Sequence, residues 1–382
     1  MKSKLKNICD LINEKISANE LINNNLASTY VSTESMLPNK RGITKPSSIP
    51  SKGTTTAYKK DDVLLSNIRP YFKKIWSANY DGVCSNDVLV FRAKNTADAN
   101  FLYYVLANDD FFVYSMATSK GTKMPRGDKA SIMKYEVESF DLNTQRKIAS
   151  ILKPIDKKIE LNNAINNNLE QQAKAIFSNE FLTLETLPDG WKQASLIDIA
   201  DYLNGLAMQK YRPTADETGI PVLKIKELRQ GCCDDNSELC SPSIKSEYII
   251  HDGDVIFSWS GSLIVDFWCG GICGLNQHLF KVTSNKYNKW FYYAWTKHHL
   301  DRFIAVAADK ATTMGHIKRD ELSKAEVLIP NEADYKRIET LLQPIFDLII
   351  TNRIENKKLA ETRDALLPKL MSGELDVSNI EL

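Results

Sequence analysis

Positions 148, 152, 155, 159, 162, 166, 169, 173 and 176 follow one another in alternating steps of four and three. They hold Ile, Leu, Ile, Ile, Asn, Asn, Leu, Ala and Ile. The same rhythm returns later as Ile338, Leu342, Ile345, Ile349, Asn352, Asn356, Leu359, Arg363 and Leu366. A sustained 3.5-residue repeat lays an apolar stripe along one side of a helix and predicts a coiled-coil seam. Pro154 and Pro344 fall inside the two patterns. Proline removes a backbone hydrogen bond and clashes with the preceding turn. The expectation is therefore a short helix before each proline and a long helix that starts with proline in its first turn.

The asparagines stand out within the stripe. Asn162 and Asn166 lie near the middle of segment 154–177, and Asn352 and Asn356 near the middle of its twin. If the two helices pack antiparallel, all four meet at the crossing. Buried seam asparagines cost stability but fix register and orientation, because mispairing leaves amides unsatisfied. Ile165 could instead take the place of Asn166 at the seam, which would put Asn166 on the surface.

The helices close two copies of one longer pattern. Met124 and Met314, Pro154 and Pro344, Ile159 and Ile349, and Asn162 and Asn352 are each 190 positions apart. Each copy opens with a short apolar segment, Leu5 to Asp10 or Leu196 to Asp201. Val222-Leu223-Lys224-Ile225-Lys226 alternates at period two and predicts a half-buried strand, with Thr29-Tyr30-Val31-Ser32 as its weaker counterpart. Asp62-Val63-Leu64-Leu65-Ser66 and Asp254-Val255-Ile256-Phe257-Ser258 then begin strand-turn-strand units. Phe101-Leu102-Tyr103-Tyr104 and Phe291-Tyr292-Tyr293-Ala294 predict helices whose aromatics pack on a sheet rather than stack on bases. A polar loop around the shared methionine and a last strand at Glu136-Val137 or Glu326-Val327 end each copy.

Composition narrows the class. The 382 residues are 43% hydrophobic and 25% charged, an ordinary globular balance. No apolar run is long enough to span a membrane, and Lys2, Lys4 and Lys6 precede no apolar stretch, so neither membrane nor export is expected and the chain is placed in the cytoplasm. Five of the seven cysteines lie between 232 and 273, but Cys232 and Cys233 are adjacent and no paired C-x-x-C exists. Buried thiols are expected, with no metal. Net charge is only +1. Its distribution says more, since Lys40, Arg41, Lys45, Lys52, Lys59 and Lys60 occur without an acid between Asn39 and Lys60. A solvated loop is the ordinary account of such a run.

No catalytic apparatus is legible. The chain lacks an Asn-Pro-Pro-aromatic tetrapeptide, a glycine-rich cofactor loop and a G-x-x-x-x-G-K-S/T phosphate loop. It also lacks a G-x-S-x-G elbow and an H-E-x-x-H pair. The five histidines stand in no metal or triad spacing.

The ending Leu366-Leu367-Pro368-Lys369-Leu370-Met371-Ser372-Gly373-Glu374-Leu375 resembles that of the specificity subunits of type I restriction–modification systems. So do the helix entry Gln145-Arg146-Lys147-Ile148-Ala149-Ser150-Ile151-Leu152 and the second copy's opener Leu187-Pro188-Asp189-Gly190-Trp191. The first copy lacks the Pro-x-Gly-Trp opener. The resemblance covers essentially the whole chain. It implies an α+β fold with two tandem α/β target recognition domains, joined by two long helices as an antiparallel coiled-coil spacer with a pseudo-twofold repeat. The implied boundaries are a first recognition domain at 1–143, a first spacer helix region at 144–180, a second recognition domain at 181–332, a second spacer helix region at 333–375 and a tail at 376–382.

The resemblance further implies a non-catalytic subunit that reads a bipartite, asymmetric site on double-stranded DNA, one half-site per domain. The chain itself would hold no cofactor. Two modification subunits would bring S-adenosylmethionine and methylate adenine, and restriction (motor–nuclease) subunits would bring ATP and Mg.

Such a domain must place side chains on base edges while basic residues hold phosphates. The candidates in the first copy are Arg69, Lys73 and Lys74 after the Ser66-Asn67-Ile68 turn, and Lys120, Lys123 and Arg126, flanked by the basic 40–60 stretch. In the second they are Trp259, Ser260 and Ser262, then Lys310, Thr313, His316 and Lys318. Only a few side chains per module usually reach bases, so part of this set is expected to do no more than solvate loops. Two other readings compete: a self-contained DNA methyltransferase or nuclease with unfamiliar motifs, and a coiled-coil adaptor that never touches nucleic acid.

Overall fold

The computed structural model describes residues 2–23, 26–309, 317 and 319–381. The chain divides into two compact units, Met1–Lys157 with Ala360–Leu382, and Lys158–Leu359.

In the first unit, strands Cys9–Ile12, Val88–Ala93, Val63–Ser66 and Ile75–Ser77 form an antiparallel sheet in that spatial order. Its alternation divides the apolar residues between two faces, as a period of two requires. Val63, Leu65, Leu89 and Phe91 join a core with Phe101, Leu102 and Val105 of the helix Ala99–Ala107, and with Ile148 and Leu152 of the first long helix. Leu64, Val88, Val90 and Trp76 face a second core with Val31, Tyr58 and Cys84. The aromatic helix starts cleanly because the Asp98 carboxylate accepts from the backbone N–H groups of Asn100 and Phe101.

The second unit repeats this sheet as Asp201–Asn204, Leu279–Thr283, Val255–Ser258 and Ile264–Phe267. The aspartate ahead of the central strand does the same work in both. Asp62 is buried, accepts from the Lys59 backbone N–H at 2.7 Å and binds Arg92 in a two-pronged pair at 2.8 and 2.6 Å. Asp254 accepts from the His251 N–H at 2.9 Å and pairs with Lys281 at 2.9 Å. Each closes the tight turn before its strand and ties it to the neighbouring one.

The smaller sheets share a frame and then diverge. Tyr30–Val31 runs parallel to Gly82–Cys84, which pairs antiparallel with Thr54–Tyr58. Likewise Ile220–Leu223 runs parallel to Cys273–Leu275, which pairs antiparallel with Ile249–Ile250. The fourth strand is added on opposite edges: Lys15–Ser17 on Thr54–Tyr58, but Leu239–Cys240 on Ile220–Leu223.

Two expectations need correction. The strand expected through Lys226 stops at Leu223, and Ile225–Gln230 is a short helix. Its Leu228 enters the same core as Leu223 and Ile250, and Gly231 ends it in the left-handed conformation at φ 76°. The apolar spacing there served a helix as well as a strand. The breaks expected at proline are also absent: Leu142–Phe177 and Glu332–Ser372 are continuous helices that run through Pro154 and Pro344. An interior proline costs ~3 kcal/mol. Burial of Ile148, Ala149 and Leu152 before Pro154, and of Ile338, Leu342, Phe346 and Ile349 around Pro344, outweighs that cost. Both prolines are themselves solvent-exposed.

Every seam position predicted from the 3.5-residue rhythm is buried or half-buried. Within the second unit the helices run antiparallel. Asn162 donates to Asn356 at 2.9 Å and to Glu355 at 2.7 Å, while Asn352 donates to Asn166 at 2.8 Å. Asn166, not Ile165, faces the seam: it is 5% exposed against 37% for Ile165. Within the first unit Arg363 sits buried in the stripe, donating to Asp156 at 2.8 Å, and the Tyr104 hydroxyl donates to the same carboxylate at 2.8 Å. Removing one member of a buried pair strands the other. Arg363→Ala is expected to lower the unfolding free energy by about 3 kcal/mol, measured by chemical denaturation. Arg363→Ala with Asp156→Ala should cost less than the sum of the single changes.

Candidate nucleic-acid interface

The two basic clusters expected in the first copy lie side by side. Residues Ile68 and Arg126 form an antiparallel bridge. The Arg69 N–H donates to the Pro125 carbonyl at 2.8 Å, and the Gly127 N–H to Asn67 at 3.1 Å. Lys120 and Arg126 close their own loop with reciprocal backbone bonds of 2.9 Å. The start of the basic 40–60 stretch joins them, since the N–H groups of Asn39 and Lys40 donate to the carbonyls of Phe72 and Lys73, each at 2.9 Å. Three stretches separated in sequence thus form one rim.

The side chains on that rim differ in how free they are. Lys123 is exposed and Lys120 is 79% exposed, its ammonium 3.6 Å from Asp128. Arg126 is about half exposed, with Asp87 at 3.2 Å. Lys73 and Lys40, the latter with its side chain 6% exposed, both reach Asp109 at 2.9 Å. Burial pushes the Asp109 carboxyl up, but the two ammonium groups more than reverse this and hold it below the ordinary carboxylate value. Lys74 turns inward: its ammonium donates to the Thr33 carbonyl at 2.6 Å, and burial lowers its pKa. Arg69 is half-buried, and its Nε has no hydrogen-bond partner. The restraint by Asp87, Asp109 and Asp128 is not legible in sequence, because each acid is remote from, or unpatterned with, the cation it meets.

The corresponding turn of the second unit is built differently. Trp259 is half-buried on Phe280, and its indole N–H donates to Asn204 at 3.0 Å. Ser260 is buried. The Ser258 hydroxyl donates to the carbonyls of Ser260 and Ser262, which fixes the turn. Ser262 is exposed and lines an open groove of about 450 Å³ with Arg229, Gly261, Leu263, Ile264, Ile304, Ala307 and Ala308. Arg229 was not among the residues expected here; it sits on the short helix Ile225–Gln230 that alternation disguised as strand. Ile317 donates its N–H to the Trp259 carbonyl at 3.0 Å, which places that residue at this turn. Lys310, Thr313, His316 and Lys318 lie outside the described residues.

All seven cysteines are free thiols. Among the described residues no group of three or more His, Cys, Asp or Glu is placed to hold a metal ion. Cys9, Cys84 and Cys273 are buried, and burial raises their pKa values. Among the described residues no helix is long and apolar enough to cross a membrane.

A family model described as the type I restriction modification DNA specificity domain matches residues 1–171 and again residues 188–361, one match per copy. The chain belongs to this family, as a type I specificity subunit. Among characterised members, the MjaIX specificity subunit of Methanocaldococcus jannaschii is 26% identical over 315 residues, covering 75% of this chain and 71% of that protein. The HindI specificity subunit of Haemophilus influenzae is 22% identical over 401 residues, covering 84% and 87%. The crystal structure of the type I S subunit from M. genitalium matches with a TM-score of 0.56 at 14% identity, over 97% of this chain and 96% of that one, which speaks for the fold. In a type I specificity subunit, the rim on the first unit and the turn on the second are the natural candidates for DNA contact.

Proposed function

We propose that this chain is the non-catalytic recognition subunit of a type I restriction–modification complex. Each unit reads one half of a bipartite, asymmetric site on double-stranded DNA, and the long helices carry two adenine methyltransferase subunits that bring S-adenosylmethionine. Restriction subunits using ATP and Mg dock on that core. The observation that carries the reading is the combination of a shared frame with unlike rims. Asp62 and Asp254 hold the same strand in the same way, whereas the turn after it presents Arg69 and Lys73 in one unit and Trp259 and Ser262 in the other. Two equal scaffolds with unequal surfaces suit two unequal half-sites.

In this account the cations hold phosphates and the turn residues approach base edges. Lys120, Lys123 and Arg126 supply the freest charges of the first rim, and Arg69, Lys73 and Lys74 shape its turn. Trp259, Ser260 and Ser262 form the second turn, with Lys310, Thr313, His316 and Lys318 proposed from sequence alone. Asn162, Asn166, Asn352 and Asn356 lock the helix register. Their hydrogen bonds across the seam support this role, since a one-turn slip would strand buried amides.

The purified chain is expected to show no saturable binding of S-adenosylmethionine by titration calorimetry. Methylation of adenine should appear when the modification subunit is added. Binding of the cofactor to the chain alone would favour a self-contained methyltransferase instead. DNA affinity of the assembled complex should fall steeply between 50 and 200 mM salt, as expected for a surface that displaces phosphate counterions. A salt-independent complex would leave the adaptor reading.

A further inference from the structure

The chain has five non-glycine residues with positive φ among its described residues: Asn39, Lys40, Asp61, Arg69 and Lys73. Four of them meet at one place. Arg69 and Lys73, at φ 51° and 50°, flank the single helical turn Pro70–Phe72. Asn39 and Lys40, at φ 57° and 59°, hydrogen-bond to the carbonyls of Phe72 and Lys73. L-residues with side chains avoid this region, so such conformations persist where the surrounding structure holds them and concentrate at functional places. The turn so held presents two aromatic rings to solvent. Tyr71 is 49% and Phe72 38% exposed, and their centroids lie 4.6 Å apart.

An exposed aromatic pair at the tip of a strained turn is unusual for a loop that only connects strands. Its surroundings identify what covers it. Arg69, Lys73 and Lys74 adjoin the pair in sequence, with the Lys74 ammonium 5.8 Å from the Phe72 ring centre. Lys40 and Arg126 reach the same turn through the backbone bonds described above. Asp109, Asp364 and Asp87 are the carboxylates paired with these five cations, and they leave a cationic excess. Aromatic faces within a cationic rim suit a polyanion that also offers flat π-surfaces. The corresponding turn of the second unit lacks this arrangement, because Trp259 is packed on Phe280 and tied to Asn204.

We infer that Tyr71 and Phe72 form a wedge that stacks on an opened base step of the DNA half-site read by the first unit, with the rim cations holding the flanking phosphates. Proteins that insert apolar side chains between base steps kink the duplex and gain contact surface thereby. Stacking tolerates any base, so the wedge would add affinity and a preference for easily unstacked steps rather than a direct base code. The inference rests on the proposed DNA-reading role.

The test uses the complex with its methyltransferase partner and a duplex carrying the motif that this complex methylates. 5-Iododeoxyuridine replaces each thymine of the first half-site in turn, and irradiation cross-links it to a stacked aromatic ring. The expected result is a cross-link to Tyr71 or Phe72 at one step. Tyr71→Ala/Phe72→Ala should weaken binding about 10- to 100-fold, while Phe72→Tyr retains most of it. A wild-type complex that binds and methylates DNA, yet gives no cross-link here and loses no affinity in the double variant, overturns the wedge alone. Loss of the methyltransferase partner from the double variant, with no cross-link in the wild type, also overturns it and makes the pair a protein contact. Absence of any sequence-dependent DNA binding by the wild type would instead overturn the function on which the inference rests.

Discussion

Inserting seven residues into both long helices, after Lys157 and after Leu359, is expected to move the two methylated half-sites about three base pairs further apart. These are the points at which the chain passes from one compact unit to the other. The insertion therefore leaves the internal packing of each unit untouched. One heptad keeps the apolar stripe in phase, so Ile159 and Leu359 stay on the seam side. It adds about 10 Å of helix at ~1.5 Å per residue, which corresponds to about three base pairs at ~3.4 Å each. The sequences of the half-sites should not change. Inserting four residues instead turns the apolar stripe on one side of each insertion point away from that on the other, and is expected to abolish activity because the two parts of each helix no longer share one seam. Methylation persisting at the original spacing in the seven-residue variant would refute a helical ruler.

The long helices were the most legible part of the chain. Their seam shows in sequence because a 3.5-residue rhythm held over many turns has no competing explanation. Asn166 was ambiguous only because Ile165 is its neighbour, and the burial of one and exposure of the other resolves it. The prolines misled for a physical reason. The rule that proline ends a helix states a local cost, and a stripe of buried and half-buried apolar residues along the same helix exceeds it. Ile225 misled differently: five residues of alternation fit the start of a helix as well as a strand, and only packing of Leu228 against Leu223 decides.

The candidate interface was half legible. Basic clusters are visible in sequence, but their meeting is not, because the bonds between Arg69 and Pro125 and between Lys40 and Lys73 join stretches far apart in the chain. The pairing of Lys40 and Lys73 with Asp109 was hidden for the same reason. The left-handed backbone at Arg69 and Lys73 left no trace at all, since neither residue is of a type that favours it.

The modular reading of the two units makes the second large prediction. Residues 1–143 can be exchanged for the first recognition domain of another family member. The incoming domain must keep the apolar surface that packs against Leu367, Leu370 and Val377, which share the first unit's core. The hybrid, expressed with the modification subunit in cells lacking other adenine methylation, is then read by methylome sequencing. The account predicts a bipartite motif in which one half-site takes the donor's sequence and the other keeps that of the parent chain. A motif changed in both halves, or in neither, would contradict it.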